Sequence, residues 1–108
     1  MADKSWKAFE RTVARFFGCC RNSLSGMMSK LTASDTIHDR LYIECKHGKK
    51  VPAWTLFEKT RELARREGKI PVVAMRQTGK HRWLLVIDAD DLSDVADEIV
   101  APAQLKDD

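Results

Sequence analysis

The chain has no apolar run approaching the roughly 18 to 20 residues that a membrane-spanning helix needs. Its opening, MADKSWK, lacks the apolar centre of a secretory signal. Both absences point away from a membrane and towards the cytoplasm. Cysteine is also scarce. Cys19, Cys20 and Cys45 are odd in number and include an adjacent pair, which argues against a disulfide framework. No CxxC or HxxxH spacing occurs, so Cys45 and His47 with Cys19 or Cys20 make a poor zinc set, and reduced thiols are the simpler reading. Internal repeats and low-complexity segments are missing too. With 44% apolar and 32% charged residues, the composition is not that of a disordered chain. A length of 108 residues fits one core, expected over residues 1–100, followed by an acidic flexible tail over 101–108.

What the chain has in quantity is charge, unevenly placed. Up to Ile87 there are 18 Lys and Arg against 8 Asp and Glu; from Asp88 onward there is 1 against 8. A basic body is the electrostatic footprint of a polyanion binder, because each neutralised phosphate releases counterions.

Apolar residues Trp6, Phe9, Val13, Phe16 and Phe17 recur at the helical period, so a first helix is expected from Trp6 to Phe17, capped by Asp3 or Ser5 and ended by Gly18. Glu10 falls inside its apolar arc. An ionised acid buried there without a partner costs several kcal/mol, so Glu10 must border a solvated cleft, pair with a cation or ligate a metal. The segment CCRNSLSGMMSKLTAS reads as a long loop of the kind that often carries function. Thr36–His38 and Leu41–Lys46 read as two strands in a tight hairpin about Asp39 and Arg40. Residues Pro52 to Glu67 form a second helix, with Pro52 at its start and Gly68 as its stop. Its other face carries Lys59, Arg61, Arg65, Arg66 and Lys69, which can track phosphates or simply pair with Glu58, Glu62 and Glu67. Strands are expected at Ile70–Arg76 and Arg82–Asp88 around a QTGKH turn, then a short acidic helix over Leu92–Val100. The order α-β-β-α-β-β-α predicts one mixed β-sheet flanked by helices, an α/β fold.

The chemistry-bearing pattern is the hairpin. A turn at Asp39 and Arg40 sets Asp35 opposite Glu44, and strand alternation puts Asp35, Ile37, Tyr42, Glu44 and Lys46 on one face. Opposed carboxylates about 5 Å apart repel unless a positive charge lies between them. Mg²⁺, for which Mn²⁺ can substitute, prefers such oxygens and keeps waters for a substrate phosphate. Lys46, one pleat beyond, is placed to orient a water and stabilise charge on the phosphate, the makings of metal-assisted phosphodiester hydrolysis. Asp39 competes with Asp35 for the first acid position, but in this register it is up to about 16 Å from Glu44 at 3.3 Å per residue. The bland alternative is that Glu44 and Lys46 are ordinary solvent-facing residues of a sheet.

With Glu10, Asp35, Glu44 and Lys46, the chain resembles the PD-(D/E)xK nuclease superfamily, and within it the small archaeal and phage Holliday junction resolvases. The likeness covers about Trp6 to Leu92. RNSLSG is similar to the family's Arg and Ser-Gly segment, mapping onto Arg21, Ser25 and Gly26, while IPVVAMRQ and RWLLVID match its later strands. Ser34 stands where the eponymous motif has Pro, and the interval from Asp35 to Glu44 is short. The resemblance implies a restriction-endonuclease-like fold and Mg²⁺-dependent cleavage of DNA, with branched DNA as the expected substrate. Glu10, Asp35 and Glu44 are then the metal ligands and Lys46 the catalytic lysine. It also suggests a homodimer, with Trp83, Leu85 or Met27 and Met28 either at its interface or in core and loop. Arg11, Arg15, Arg21, Ser25, Lys30, Lys49 and Lys50 are the expected DNA-binding residues, acting mainly through phosphates. Linear, nicked or single-stranded DNA remains an alternative substrate, and a non-catalytic DNA-binding module an alternative role.

Overall fold

The structure, a computed structural model, describes residues 5–22, 33–50 and 52–103. Helix α1, Ser5–Phe16, buries Phe9, Val13, Phe16 and the following Phe17. Gly18 ends it at φ 68°, and a Cβ there would lie 2.9 Å from a methyl of Val100. Glycine is therefore required both by the left-handed turn and by the close approach of the C-terminal segment. Asp3, one of the expected caps, lies outside the described residues.

Strand β1 is Cys20–Arg21, β2 Thr36–Ile37, β3 Leu41–Gly48, β4 Ile70–Gln77 and β5 Leu84–Val86. β3 and β4 run parallel, joined through helix α2, Ala53–Glu67, and β5 returns antiparallel to β4. The three-stranded sheet is thus mixed, in the order β3-β4-β5, with β3 on one edge. Among the described residues the fold is mixed α/β with three helices, the last being α3, Leu92–Ala96, entered through a 3-10 turn at Ala89–Asp91. Gly68 closes α2 at φ 66°, donating its N–H to the carbonyls of Ala64 and Arg65.

Alternation along β3 sorts the layers. Leu41 and Ile43 point to the α1 side, where with Val72, Ala74 and Val95 they join the phenylalanines in one core. Val13, Leu41, Ile43 and Val72 are fully buried, each contributing about 1.5–3 kcal/mol relative to exposure. Tyr42 and Val73 lie on the opposite face, which α2 covers with Thr60 and Ala64. Trp83 meets Phe9 and Phe16 edge-on, with ring centroids 5.8 and 5.1 Å away, and Leu85 packs on the same cluster. Both belong to the core side of the sheet; Met27 and Met28 lie outside the described residues.

Two expectations need correction. First, Thr36–Ile37 does not zip onto Leu41–Lys46 as a two-residue hairpin; it pairs antiparallel with β1, inside the segment read as loop. The cause lies at the turn. The Nδ1 of His38 accepts the N–H groups of Arg40 and Leu41 at 3.0 and 3.1 Å, so a side chain takes the place of a strand carbonyl. Second, the last strand and last helix are shorter than expected, at Leu84–Val86 and Leu92–Ala96. At the C-terminal end of the described residues, Val100 donates its N–H to the Phe16 carbonyl at 2.9 Å and Trp83 donates its indole N–H to the Ala103 carbonyl at 2.8 Å. Residues 104–108 lie outside the described residues.

Candidate active site

The site forms on the edge of β3 away from β4, where among the described residues no strand continues the sheet and the outward backbone groups need partners. Asp35 supplies both. Its N–H donates to the Ile43 carbonyl at 3.0 Å, and its Oδ2 accepts the Cys45 N–H at 2.8 Å, so a carboxylate continues the ladder in place of a backbone carbonyl. The pairing is one residue off the expected register, with Asp35 against Ile43, yet the side chain reaches past it to the Cys45 N–H, beside Glu44.

Asp35 is itself held from behind. Asn22 donates its N–H to the Asp35 carbonyl at 2.8 Å and its side-chain amide to the Ser34 carbonyl at 2.9 Å. The Ser34 hydroxyl donates to the Thr36 carbonyl at 2.6 Å, and the Ala33 N–H reaches a Glu67 carboxylate oxygen at 2.9 Å. The Ser34 hydroxyl thereby fastens the turn that presents Asp35. Asn22 was not singled out from the sequence, since no local spacing signals a residue that reaches across to another strand.

Glu10 arrives from α1 on the other side of this corner and is buried, as its place on the apolar arc requires. Its partner is Arg21, whose Nε lies 2.6 Å from Glu10 Oε1 while its guanidinium stands over the Trp6 ring at 5.5 Å. Arg21, one of the expected DNA-binding residues, is 19% exposed at its side chain and is engaged by Glu10 inside the site. The β1 strand turns it inward beside Glu10.

The electrostatics of the corner follow from too many acids in too little water. Burial first and the charge of Glu10 push the Asp35 carboxyl up to about 6, against the opposing pull of the Cys45 N–H, Arg21 and Glu44. Glu44 is pushed up to about 7 by burial first and Asp35 second, with Lys46 pulling it back. The two share a proton near neutrality and titrate as a pair. Burial also pushes the Cys45 thiol well above its ordinary value and the Tyr42 phenol up to about 12, so neither ionises beside the acids at neutral pH.

Glu10, Asp35, Glu44 and Lys46 are therefore brought to one corner. Lys46 is exposed and stands in register with Met75 of β4. Lys49 and Lys50 follow on the exposed end of β3, while Arg11 and Arg15 lie on the exposed side of α1. Ser25, Gly26 and Lys30 lie outside the described residues. Asp39 is exposed in the turn. No group of three or more His, Cys, Asp or Glu side chains gathers at ligating distance among the described residues, and the zinc combination of Cys45, His47 and Cys19 or Cys20 is not assembled there. His47 instead packs near Phe9, with ring centroids 6.3 Å apart. The candidate cation site is accordingly the Asp35 and Glu44 pair, with Glu10 fastened to Arg21 beside it. No family model, no curated protein and no solved structure matches this chain, which leaves the geometry of this corner to carry the functional reading.

Proposed function

We propose that the protein is a Mg²⁺-dependent endodeoxyribonuclease of the PD-(D/E)xK type, with a restriction-endonuclease-like arrangement of the sheet, acting on branched DNA as a Holliday junction resolvase. The observation that carries the proposal is the meeting of two half-buried carboxyls at the β3 edge, Asp35 on the Cys45 N–H beside Glu44, raised to about 6 and about 7, with Lys46 as an exposed cation two residues along the strand.

The residues fit a hard divalent cation. Two carboxylates that keep a proton between them are short of one positive charge, their oxygens are the donors Mg²⁺ prefers, and the protonated Cys45 thiol offers no competing soft ligand. Asp35 and Glu44 would hold the ion and Glu10 would bind its outer waters. When bound, Mg²⁺ supplies Lewis acidity at the scissile phosphate. The chain's own part is positioning. The Cys45 N–H holds the Asp35 carboxylate, Arg21 holds Glu10, and Lys46 orients the attacking water while neutralising charge that develops on the phosphoryl oxygens.

The test is cleavage of a labelled four-way junction and of a linear duplex of the same sequence in Mg²⁺, with Lys46→Ala as control. Paired nicks in the junction alone, lost in the variant, support a resolvase. Equal cutting of both would move the substrate to DNA in general. DNA binding without cutting in Mg²⁺ or Mn²⁺ would favour the second reading, a non-catalytic DNA-binding module, for which the absence of a third ligating side chain among the described residues is the supporting observation. The homodimer and the cytoplasmic location stand as parts of this proposal.

A further inference from the structure

Beyond Lys46 the end of the sheet opens into a groove with two basic walls. One wall is the β3–α2 connection, carrying Lys49 and Lys50; the other is the β4–β5 turn, carrying Lys80, His81 and Arg82. Met75 and Leu84 form its floor, and they stand side by side in the β4–β5 register. None of the described lining residues is acidic.

The walls are fastened to each other. Thr78 donates its N–H to the Gly48 carbonyl at 2.9 Å and the Gln77 side chain donates to the Lys49 carbonyl at 3.1 Å, while Arg76 Nε, donating to the Lys80 carbonyl at 2.7 Å, braces the turn itself. The cations therefore sit on a cross-braced frame, where a bound anion costs less ordering than it would on two free loops. Lys46 is the register partner of Met75, so the groove floor runs directly to it. Lys50 lies four residues further on, at most about 13 Å away at 3.3 Å per residue. That is the rise of about four nucleotides of one strand.

We infer that this groove is the track for the DNA strand on one side of the cut, with Lys80 and Arg82 of the β4–β5 turn and Lys49 and Lys50 opposite them gripping successive phosphates. Met75 and the 56%-exposed Leu84 give the sugar edge an apolar surface to rest on. The contacts are to phosphate and sugar, so the track sets position and affinity with no base preference. The inference deepens the nuclease reading and rests on it for the direction of the track. The β4–β5 turn carries no such signal in the sequence, where Lys80 and His81 read only as turn residues.

The test is the salt dependence of binding to a fluorescein-labelled DNA duplex and a four-way junction in EDTA, where no cleavage occurs. Each lost phosphate contact lowers the slope of log K against log salt by about 0.9 in magnitude. Lys80→Ala/Arg82→Ala is expected to lower it by about 2, and Lys49→Ala/Lys50→Ala by a similar amount. Arg65→Ala/Arg66→Ala, at the C-terminal end of α2 and so at the opposite end of the sheet, is expected to leave it unchanged. All of these side chains are exposed, and an unchanged melting temperature checks that each variant is folded. A slope unmoved in both groove variants, or lowered as much in the α2 variant, overturns the track. Tighter binding of an RNA duplex of the same sequence overturns its assignment to DNA. The nuclease reading fails separately: a wild-type protein that cuts nothing in Mg²⁺ while the groove variants still lose slope keeps the track and removes the catalysis.

Discussion

At the α3 corner, acids meet built-in cations. Arg40 Nη1 lies 2.5 Å from Glu98, its Nη2 3.9 Å from Asp94, and His38 Nε2 3.3 Å from Glu98. His38 accepts two backbone N–H groups at Nδ1, which leaves its proton on Nε2 to donate to Glu98, and burial lowers its pKa so that this neutral form is the one present. At the β3 edge the arrangement is reversed: Asp35 and Glu44 lie against each other, and of the cations nearby Arg21 is taken by Glu10. A corner whose charges are matched internally ties α3 to the turn before β3. A corner left short of positive charge is suited to take a cation and an anionic substrate from outside.

If that contrast holds, substitutions at the two corners separate chemistry from stability. The largest effect is expected at Lys46. Lys46→Ala should lower the cleavage rate by about 10²–10³-fold, the scale of losing one group that stabilises transition-state charge, with DNA affinity changed little; single-turnover cleavage beside equilibrium binding measures both. Next comes Arg21→Ala, which leaves the buried Glu10 without its charged donor. A loss of about 1–3 kcal/mol is expected in urea unfolding, together with slower cleavage. Arg40→Ala should be the mildest. Its guanidinium is half exposed, so the loss should be no more than about 1 kcal/mol, smaller at high salt, with cleavage intact. Equal catalytic damage from Arg40→Ala and Lys46→Ala would erase the distinction between the corners.

The elements with strong local signals were legible in the sequence. The period of α1, the Pro52 and Gly68 bounds of α2 and the apolar runs of β3 and β4 all correspond to observed elements. So was the grouping of Glu10, Asp35, Glu44 and Lys46. What escaped was non-local. Cys20–Arg21 is a two-residue strand without β-branched residues and exists only because β2 lies beside it. The register of Asp35 was off by one because the His38 side chain and the Asp35 carboxylate both stand in for backbone partners, which periodicity does not register. The grouping survived that error because a side chain reaches over a one-residue slip at a strand edge. The ion pair of Arg21 with Glu10 is not legible either, because the inward turn of Arg21 depends on β1.

The shared proton also makes stability depend on pH. Asp35 and Glu44 titrate higher in the folded protein than in the unfolded chain, so the folded state binds more protons between about pH 4 and 7, and metal-free stability should fall as pH rises through that window. Glu44→Gln removes the repulsion and should flatten the fall.

The most direct test of the cation site is thermal unfolding at pH 8 in EDTA and in Mg²⁺ or Mn²⁺, for the wild type and for Glu44→Gln. Both acids are then ionised, and the expected result is a wild-type melting temperature raised on the order of 10 °C with metal at about 100 times its Kd. The variant should melt higher than the wild type in EDTA and gain nothing from metal. A wild type indifferent to metal, or a variant stabilised by it equally, would contradict the assignment of Asp35 and Glu44 as its ligands.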